Sequence, residues 1–462
     1  MRRNSNIQSK KNKETYLAME ENKEPIVIVA GTRPEIIKLT PVIENLEKLN
    51  MNYLLVWSGQ HYDYELCKIF FEEFKIPEPR INLNVGSGTH AEEVAKTMLR
   101  LEKVLMKHKP SIVIAEGDTN TVVAAALTAT KLNIPFAHVE AGLRSYDMTM
   151  PEEINRKIAD AISDICFAPT ELAAINLMHE GIPRNRIYVT GNTIIDVVLK
   201  YKDKAYKKGL ELINKLNLEQ QNYLLVTVHR QENTDNSERL LRIFKALEKL
   251  SEYYPIVIPM HPRTLNRLKE YRFYGKLINM KNFVMLKPLG YSSFLGLLMH
   301  ARVVLTDSGG VQEEAFTLKV PTITLRYNTE RPETVLLGAN TLVGAEYQEI
   351  ISQTLKKAAK YREIRRKLEK VSNPLGDGRA GVRIAKILSN IVEKTEVKEF
   401  DSRDDPYITY TIVDNITNID ERYVVSYYNE EVATLNKKQA KKALIRAPLS
   451  YIRKLIRIFK KY

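Results

Sequence analysis

The sequence predicts an α/β protein built from two doubly wound parallel sheets, with a small extension at its C-terminal end. Three observations predict it. Short apolar runs alternate with longer segments of helical periodicity along most of the chain. The runs are nearly continuous in apolar residues rather than alternating, as strands buried on both faces of a parallel sheet must be. The rhythm also occurs twice, in a chain of 462 residues with 44% hydrophobic side chains, enough for two or three domains.

The elements follow in order. Residues 1–24 form a polar, basic tail; Met1-Arg2-Arg3 leads into no apolar stretch, so no secretory leader is expected. The first domain, 25–195, has strands expected at Ile26–Ala30, Tyr53–Trp57, Ile112–Ala115, Phe136–Val139 and Ile165–Ala168. A lysine-rich helix around Asn192–Lys208 marks the break. The second domain, 196–373, repeats the pattern at Tyr223–Val228, Ile256–Met260, Phe283–Leu286, Val303–Thr306 and Thr322–Leu325. Composition changes again near Glu393. In the extension, 393–462, Tyr407–Val413 and Arg422–Tyr428 read as two strands of a hairpin. Leu449–Tyr462 reads as a basic amphipathic helix, with Leu449, Ile452, Leu455, Ile456 and Phe459 on one face. A docked terminal helix with a solvated face would give the same pattern.

The net charge of +14 invites a nucleic-acid reading, but its location argues otherwise. Residues 436–462 carry ten basic side chains and no acid, and residues 1–13 carry five more; the remainder has 55 basic and 56 acidic groups. No nucleic-acid partner is expected. The basic tail instead suggests peripheral contact with an anionic membrane face. No run reaches the ~18 apolar residues of a spanning helix. Cys67 and Cys166 can form neither a disulfide framework nor a four-ligand zinc site, which fits a cytoplasmic setting, and both are expected to pack as small hydrophobes. The eight histidines include no HExxH or paired spacing, so no metal is expected.

In open α/β sheets ligands bind beyond the carboxyl ends of the strands, so the loops there are the place to look. They read Gly31-Thr32-Arg33-Pro34-Glu35 followed by a helix with Lys38, Glu116-Gly117-Asp118-Thr119, and Glu140-Ala141-Gly142-Leu143-Arg144. In the second half they read His229-Arg230-Gln231-Glu232-Asn233, His261-Pro262-Arg263 and Asp307-Ser308-Gly309-Gly310. One charged loop means little; six on predicted sheet edges make a site rich in ionisable groups. Ser308, Gly309 and Gly310 open a helix, where backbone N–H groups and the helix dipole favour a phosphate, and Glu314 lies one turn on, able to accept both hydroxyls of a ribose. An ordinary Ser308 N-cap explains the same residues, but Arg33 and Lys38 tip the balance toward a pyrophosphate. Thr149 and Glu152 fit a capping box, and Glu152 and Arg156 an i,i+4 ion pair. The catalytic alternative is that Asp118, Glu140 and Glu152 converge near one sugar ring opposite His229, supplying paired acid and base groups. Gly86-Ser87-Gly88-Thr89-His90-Ala91 fits a loose dinucleotide pattern, but it does not follow the first strand of a βαβ unit and reads as a loop and cap.

Taken together, GTRPE (31–35), EGDT (116–119), HVEAGLRS (138–145), PEEINR (151–156), GNTIID (191–196), VTVHRQEN (226–233), DSGGVQEEA (307–315) and TERPET (329–334) resemble the non-hydrolysing UDP-N-acetylglucosamine 2-epimerases. The motifs run in the family's order over residues 25–392. The resemblance implies a glycosyltransferase B-type fold: two Rossmann-like domains with a UDP-sugar in the cleft they face across, and a helix within 374–392 returning to the first domain. It implies interconversion of UDP-GlcNAc and UDP-ManNAc without an added cofactor, and a homodimer. It assigns Asp118, Glu140, Glu152 and His229 to catalysis. Arg33, Lys38, Arg156, Phe294, Ser308, Gly309, Gly310, Glu314 and Arg331 are assigned to substrate binding, with Phe294 and Glu314 at the uridine.

Gln60 and His61 match the family's activator motif, but the arginines that complete it are absent, so the sequence leaves allosteric activation by UDP-GlcNAc open. Three alternatives stand beside the main reading: an epimerase of a UDP-diacetamido sugar acid, a UDP-sugar glycosyltransferase of the same fold, and a nucleotide-sugar-binding regulator. The number of intact carboxylates argues against the last two.

Overall fold

A computed structural model describes residues 24–59 and 72–393, together with the backbone of two strands at 423–427 and 430–435. The chain divides into two compact units. One takes the residues up to Gly142, Met148–Thr193 and the segment from Arg379; the other takes Leu143–Asp147 and Ile194–Gly378.

The first unit is a seven-stranded sheet in the order β3-β2-β1-β4-β5-β6-β7. Its strands are β1 Ile26–Ala30, β2 Tyr53–Trp57, β3 Ile81–Asn82, β4 Ile112–Glu116, β5 Phe136–Val139, β6 Ile165–Ala168 and β7 Ile187–Val189, all parallel. Every residue of β1 and β4 is buried, as the apolar runs Ile26–Ala30 and Ile112–Ala115 require, and Glu116 at the end of β4 is buried with them. The helix Asn120–Lys131 covers one face, and its Val122, Ala125 and Ala129 share a core with Val27, Val29, Val113 and Phe136. The helix Ala380–Val392 packs on the helix Arg33–Lys48, and Gly381 meets the backbone of Pro41 so closely that no side chain would fit. Arg383 from the same helix donates to the Thr190 carbonyl at 3.0 Å.

The second unit is a six-stranded parallel sheet in the order β10-β9-β8-β11-β12-β13. Its strands are β8 Leu224–Thr227, β9 Ile256–Pro259, β10 Phe283–Leu286, β11 Val303–Thr306, β12 Thr322–Thr324 and β13 Asn340–Leu342. In both units the strand order reverses at one place, between β1 and β4 and between β8 and β11. Loops on either side of such a reversal diverge and leave a crevice at the carboxyl ends of the strands.

In the extension, Tyr423–Tyr427 (β14) pairs antiparallel with Glu430–Leu435 (β15). The two strands lie two residues apart, a short connection of the kind that closes a hairpin at low entropic cost. Residues 407–413 and 449–462 lie outside the described residues, as do Gln60, His61 and Cys67. Cys166 is buried on β6. Among the described residues no helix is long and apolar enough to cross a membrane, and no group of His, Cys, Asp and Glu is arranged to hold a metal ion.

Candidate active site

In the first unit the residues singled out gather at the carboxyl edge around the β1–β4–β5 strand ends. The loop after β1 is fixed by Glu35, whose carboxylate accepts from the N–H groups of Gly31 at 2.6 Å and Thr32 at 2.7 Å, and from the Thr119 hydroxyl. Burial raises the Glu35 pKa, and those three donors offset part of the rise. Arg33 opens the following helix and is exposed.

Lys38 sits one turn deeper and is buried. The resemblance assigns it to substrate binding; in the structure its ammonium lies 3.1 Å from the Glu116 carboxylate and is hydrogen-bonded to Glu140. The reason is topological: β4 and β5 lie side by side, so Glu116 at the end of one and Glu140 just past the other reach the same cation. Burial pushes Glu116 well above the ordinary carboxylate range; Lys38 pulls it down and Glu140 pushes it further up. Asn192 donates to Glu140 at 3.2 Å. Glu140 itself holds a backbone φ of +72°, a conformation that costs a non-glycine residue free energy and is kept where the surroundings impose it.

Asp118 belongs to a second cluster. Its carboxylate lies 3.4 Å from Arg156, and its backbone carbonyl accepts from Asn155 at 2.9 Å. Both partners lie on the helix Pro151–Ile162, which therefore carries Glu152 to the Asp118 loop. One local expectation is corrected there. The N-cap is Met150 and no side chain caps this end, because Pro151 takes the first helical position and shifts the start past Thr149. Arg156 pairs with Asp118 and, at 3.3 Å, with Glu153, while its Nε donates to the Glu152 backbone carbonyl.

Behind both clusters lies a pair that sequence reading missed. His138 on β5 is fully buried, with Nδ1 2.7 Å from the Asp160 carboxylate and Nε2 2.7 Å from the Gly117 carbonyl. The other Asp160 oxygen accepts from the Gly142 N–H at 3.1 Å. Gly142 has φ +85°, and a Cβ there would sit 2.2 Å from the Ala173 carbonyl oxygen, so only glycine fits.

The second unit builds its edge differently. Asp307, at the end of β11, is fully buried and accepts from the N–H groups of His229 and Arg230 and from the Asn233 amide. It thus holds the loop that presents the half-exposed His229, whose ring lies tilted against His261 with centroids 5.4 Å apart. Ser308 occupies the N-cap of the helix Gly309–Thr317 without a side-chain capping bond. The first N–H groups of a helix have no intrahelical acceptor, so this end is chemically suited to an anion. A Cβ at Gly309 would lie 2.7 Å from Arg331 Nη1, so the glycine lets that guanidinium pass over the helix start.

Arg331 is buried between Glu313 at 2.6 Å and Glu330 at 3.2 Å. Arg326, also missed in the sequence, extends the chain: it pairs with Glu330 at 2.9 Å and Glu232 at 3.1 Å. Burial opposes the Arg326 charge, but Glu330 and Glu232 outweigh it and keep the guanidinium protonated. Burial raises the Glu232 pKa, with Arg326 offsetting part of the rise. Glu314 is buried one turn into the helix, and Phe294 packs against the cluster holding Val311 and Ala315. The pairs Arg326–Glu232 and Arg331–Glu313 were not legible because their partners are distant in sequence and meet only in the folded unit.

A family model described as UDP-N-acetylglucosamine 2-epimerase matches residues 44–389. The chain is 49% identical over 366 residues to the UDP-N-acetylglucosamine 2-epimerase of Methanocaldococcus jannaschii, covering 78% of this chain and 98% of that protein. It is 38% identical to the UDP-2,3-diacetamido-2,3-dideoxy-D-glucuronate 2-epimerase of Pseudomonas aeruginosa, covering 79% and 99%. Among solved structures it resembles the M. jannaschii UDP-GlcNAc 2-epimerase crystallised in complex with UDP-GlcNAc and UDP, with TM-score 0.72, 49% identity, and coverage of 79% and 99%.

Proposed function

The chain belongs to the UDP-N-acetylglucosamine 2-epimerase family, and from that premise we propose that it interconverts UDP-GlcNAc and UDP-ManNAc by eliminating and re-adding UDP. The observation that carries the reading is the set of carboxylates at the ends of β4 and β5 and on the helix that follows, Asp118, Glu140 and Glu152, in a chain that also offers an anion-binding helix start.

The chemistry asks for both. The C2 hydrogen of the sugar is not beside a carbonyl, so direct deprotonation is prohibitive. As the C1–O bond breaks, its electrons leave with UDP and C1 becomes oxocarbenium-like, which acidifies C2–H. A carboxylate takes that proton, and the C2–H electrons form the C1=C2 bond of a 2-acetamidoglucal. Protonation at C2 from the opposite face and attack of a UDP oxygen on C1 complete the inversion, with every atom and proton returned. Two faces need two proton-transfer groups, which Asp118, Glu140 and Glu152 supply. The departing diphosphate needs preorganised donors, which the Ser308–Gly310 helix start, Arg33 and His229 supply. Lys38 acts one step back by holding Glu140 in place; its charge is already matched by two carboxylates.

The deciding experiment is NMR of the purified chain with UDP-GlcNAc in D2O and nothing added. UDP-ManNAc carrying deuterium at C2, with deuterium also entering UDP-GlcNAc, is expected; UDP binding without exchange would refute the reading. The 38% identical relative favours one second substrate, so the same experiment with a UDP-2,3-diacetamido sugar acid is its control. The homodimer is part of the same proposal and is checked by light scattering. Membrane contact through 436–462 is checked by co-sedimentation of full-length and 1–394 chains with anionic liposomes.

A further inference from the structure

The buried histidine of the first unit has a role that the catalytic carboxylates do not explain. A backbone carbonyl can only accept, so the bond from His138 Nε2 to the Gly117 oxygen requires a proton on Nε2. One further proton lies between Nδ1 and the Asp160 carboxylate, whose other oxygen takes the Gly142 N–H. The pair is therefore fully committed to protein groups, and it is buried, with His138 at 0% and Asp160 at 1% exposure.

What it touches is informative. Gly117 immediately precedes Asp118. His138 lies two residues before Glu140 and Gly142 two residues after it. Asp160 stands on the same helical face as Glu152 and Arg156, at four-residue spacing along the helix Pro151–Ile162. Each of the three carboxylates is thus one or two residues, or two helical turns, from an anchor on this pair.

We propose that His138 and Asp160 form a positioning dyad that sets the mutual register of the loops and helix carrying Asp118, Glu140 and Glu152. The inference rests on the epimerase reading for its kinetic consequence but not for its structural one. Removing the dyad lets the carboxylates shift by a fraction of an ångström to an ångström, and misplacement of that size costs about 10²-fold in rate. The second unit's helix start and His229 loop share none of these bonds, so nucleotide affinity is untouched.

The test uses the full-length chain and two substitutions. Asp160→Ala removes both carboxylate bonds and is expected to lower kcat about 10²-fold while UDP affinity by calorimetry stays at the parental value. Asp160→Asn is the rescue: its amide can donate to Nδ1 of a neutral imidazole and its oxygen can accept from Gly142, so near-parental kcat is expected. If Asp160→Ala does not fold, His138→Gln, which retains a donor for Gly117 but gives up Asp160, takes its place. Parental kcat in the Ala variant, equal damage in the Asn variant, or UDP affinity falling in step with kcat would each overturn the dyad. An inactive parent would instead overturn the epimerase reading. Hydrogen exchange then decides the dyad alone: the Gly142 amide exchanges faster in Asp160→Ala but not in Asp160→Asn, and unchanged protection in both refutes it.

Discussion

The two units place charge at equivalent sheet edges and use it in opposite ways. In the first, a cation serves carboxylates: Lys38 lies between Glu116 and Glu140, and Arg156 between Asp118 and Glu153. In the second, carboxylates serve cations: Glu232, Glu330 and Glu313 surround Arg326 and Arg331, which lie behind a helix start. The first arrangement aims ionisable acids at chemistry. The second cancels side-chain charge and leaves backbone N–H groups as the anion ligands. Under the proposed function this contrast reads as a division of labour, with proton transfer assigned to one unit and nucleotide binding to the other.

The largest expected effect tests that division directly. Glu140→Gln should lower kcat by about 10³-fold, within the range for loss of a general base, while UDP binding by calorimetry is unchanged. A parallel loss of UDP affinity would break the comparison. Lys38→Met comes next. It strands two buried carboxylates, and breaking a buried pair costs about 3 kcal/mol. Differential scanning calorimetry should show the first unit's transition moving down while the second unit's stays in place.

Gly309→Ala ranks third and acts on the other side. The added methyl meets Arg331 at 2.7 Å, and overpacking of this kind costs about 1–3 kcal/mol, so the UDP Kd should rise about tenfold with kcat much less affected. A kcat effect larger than the Kd effect would mean that the helix start takes part in chemistry as well as binding.

How much of this was legible depends on whether the deciding contact was local. Central strands announced themselves: Ile26–Ala30 and Ile112–Ala115 are apolar because helices cover both faces of the sheet. The strands not expected, Ile81–Asn82, Ile187–Val189 and Asn340–Leu342, are all sheet edges of two or three residues, half-buried and too short to show a period. The loops with Asp118, Glu140, His229 and Ser308–Gly310 were found because chain order places them at strand ends. The job of Lys38 was not, because it follows from β4 and β5 being neighbours. His138 was hidden for the same reason: its two partners come from a different loop and a following helix, and nothing beside it in the chain marks them.

The smallest effect offers the finest test of the contrast, because one buried group in each unit should answer to pH with opposite sign. Burial raises Glu116 in the first unit, so between the ordinary carboxylate value of 4.5 and its folded pKa the native state holds a proton that the unfolded chain has lost. Its stabilising contribution is complete below 4.5 and fades as pH rises through the folded pKa. In the second unit Lys357 is buried, donates to the carbonyls of Gly338 at 3.2 Å and Ala339 at 2.9 Å, and is pushed down by burial to about 8. Between about 8 and 10.5 the unfolded chain holds the proton that the native state has released, so stability gains as pH rises. Each contribution changes by on the order of 1 kcal/mol per pH unit crossed. Glu35 and Glu232 add slopes of the Glu116 sign, so the parent curve alone does not separate the units. Differences from Glu116→Gln and Lys357→Met do. The stability gap of Glu116→Gln over the parent should widen with rising pH, and that of Lys357→Met should narrow above pH 8. Two gaps that move in the same direction would show that the charge arrangement of the units is not opposed in the way the structure indicates.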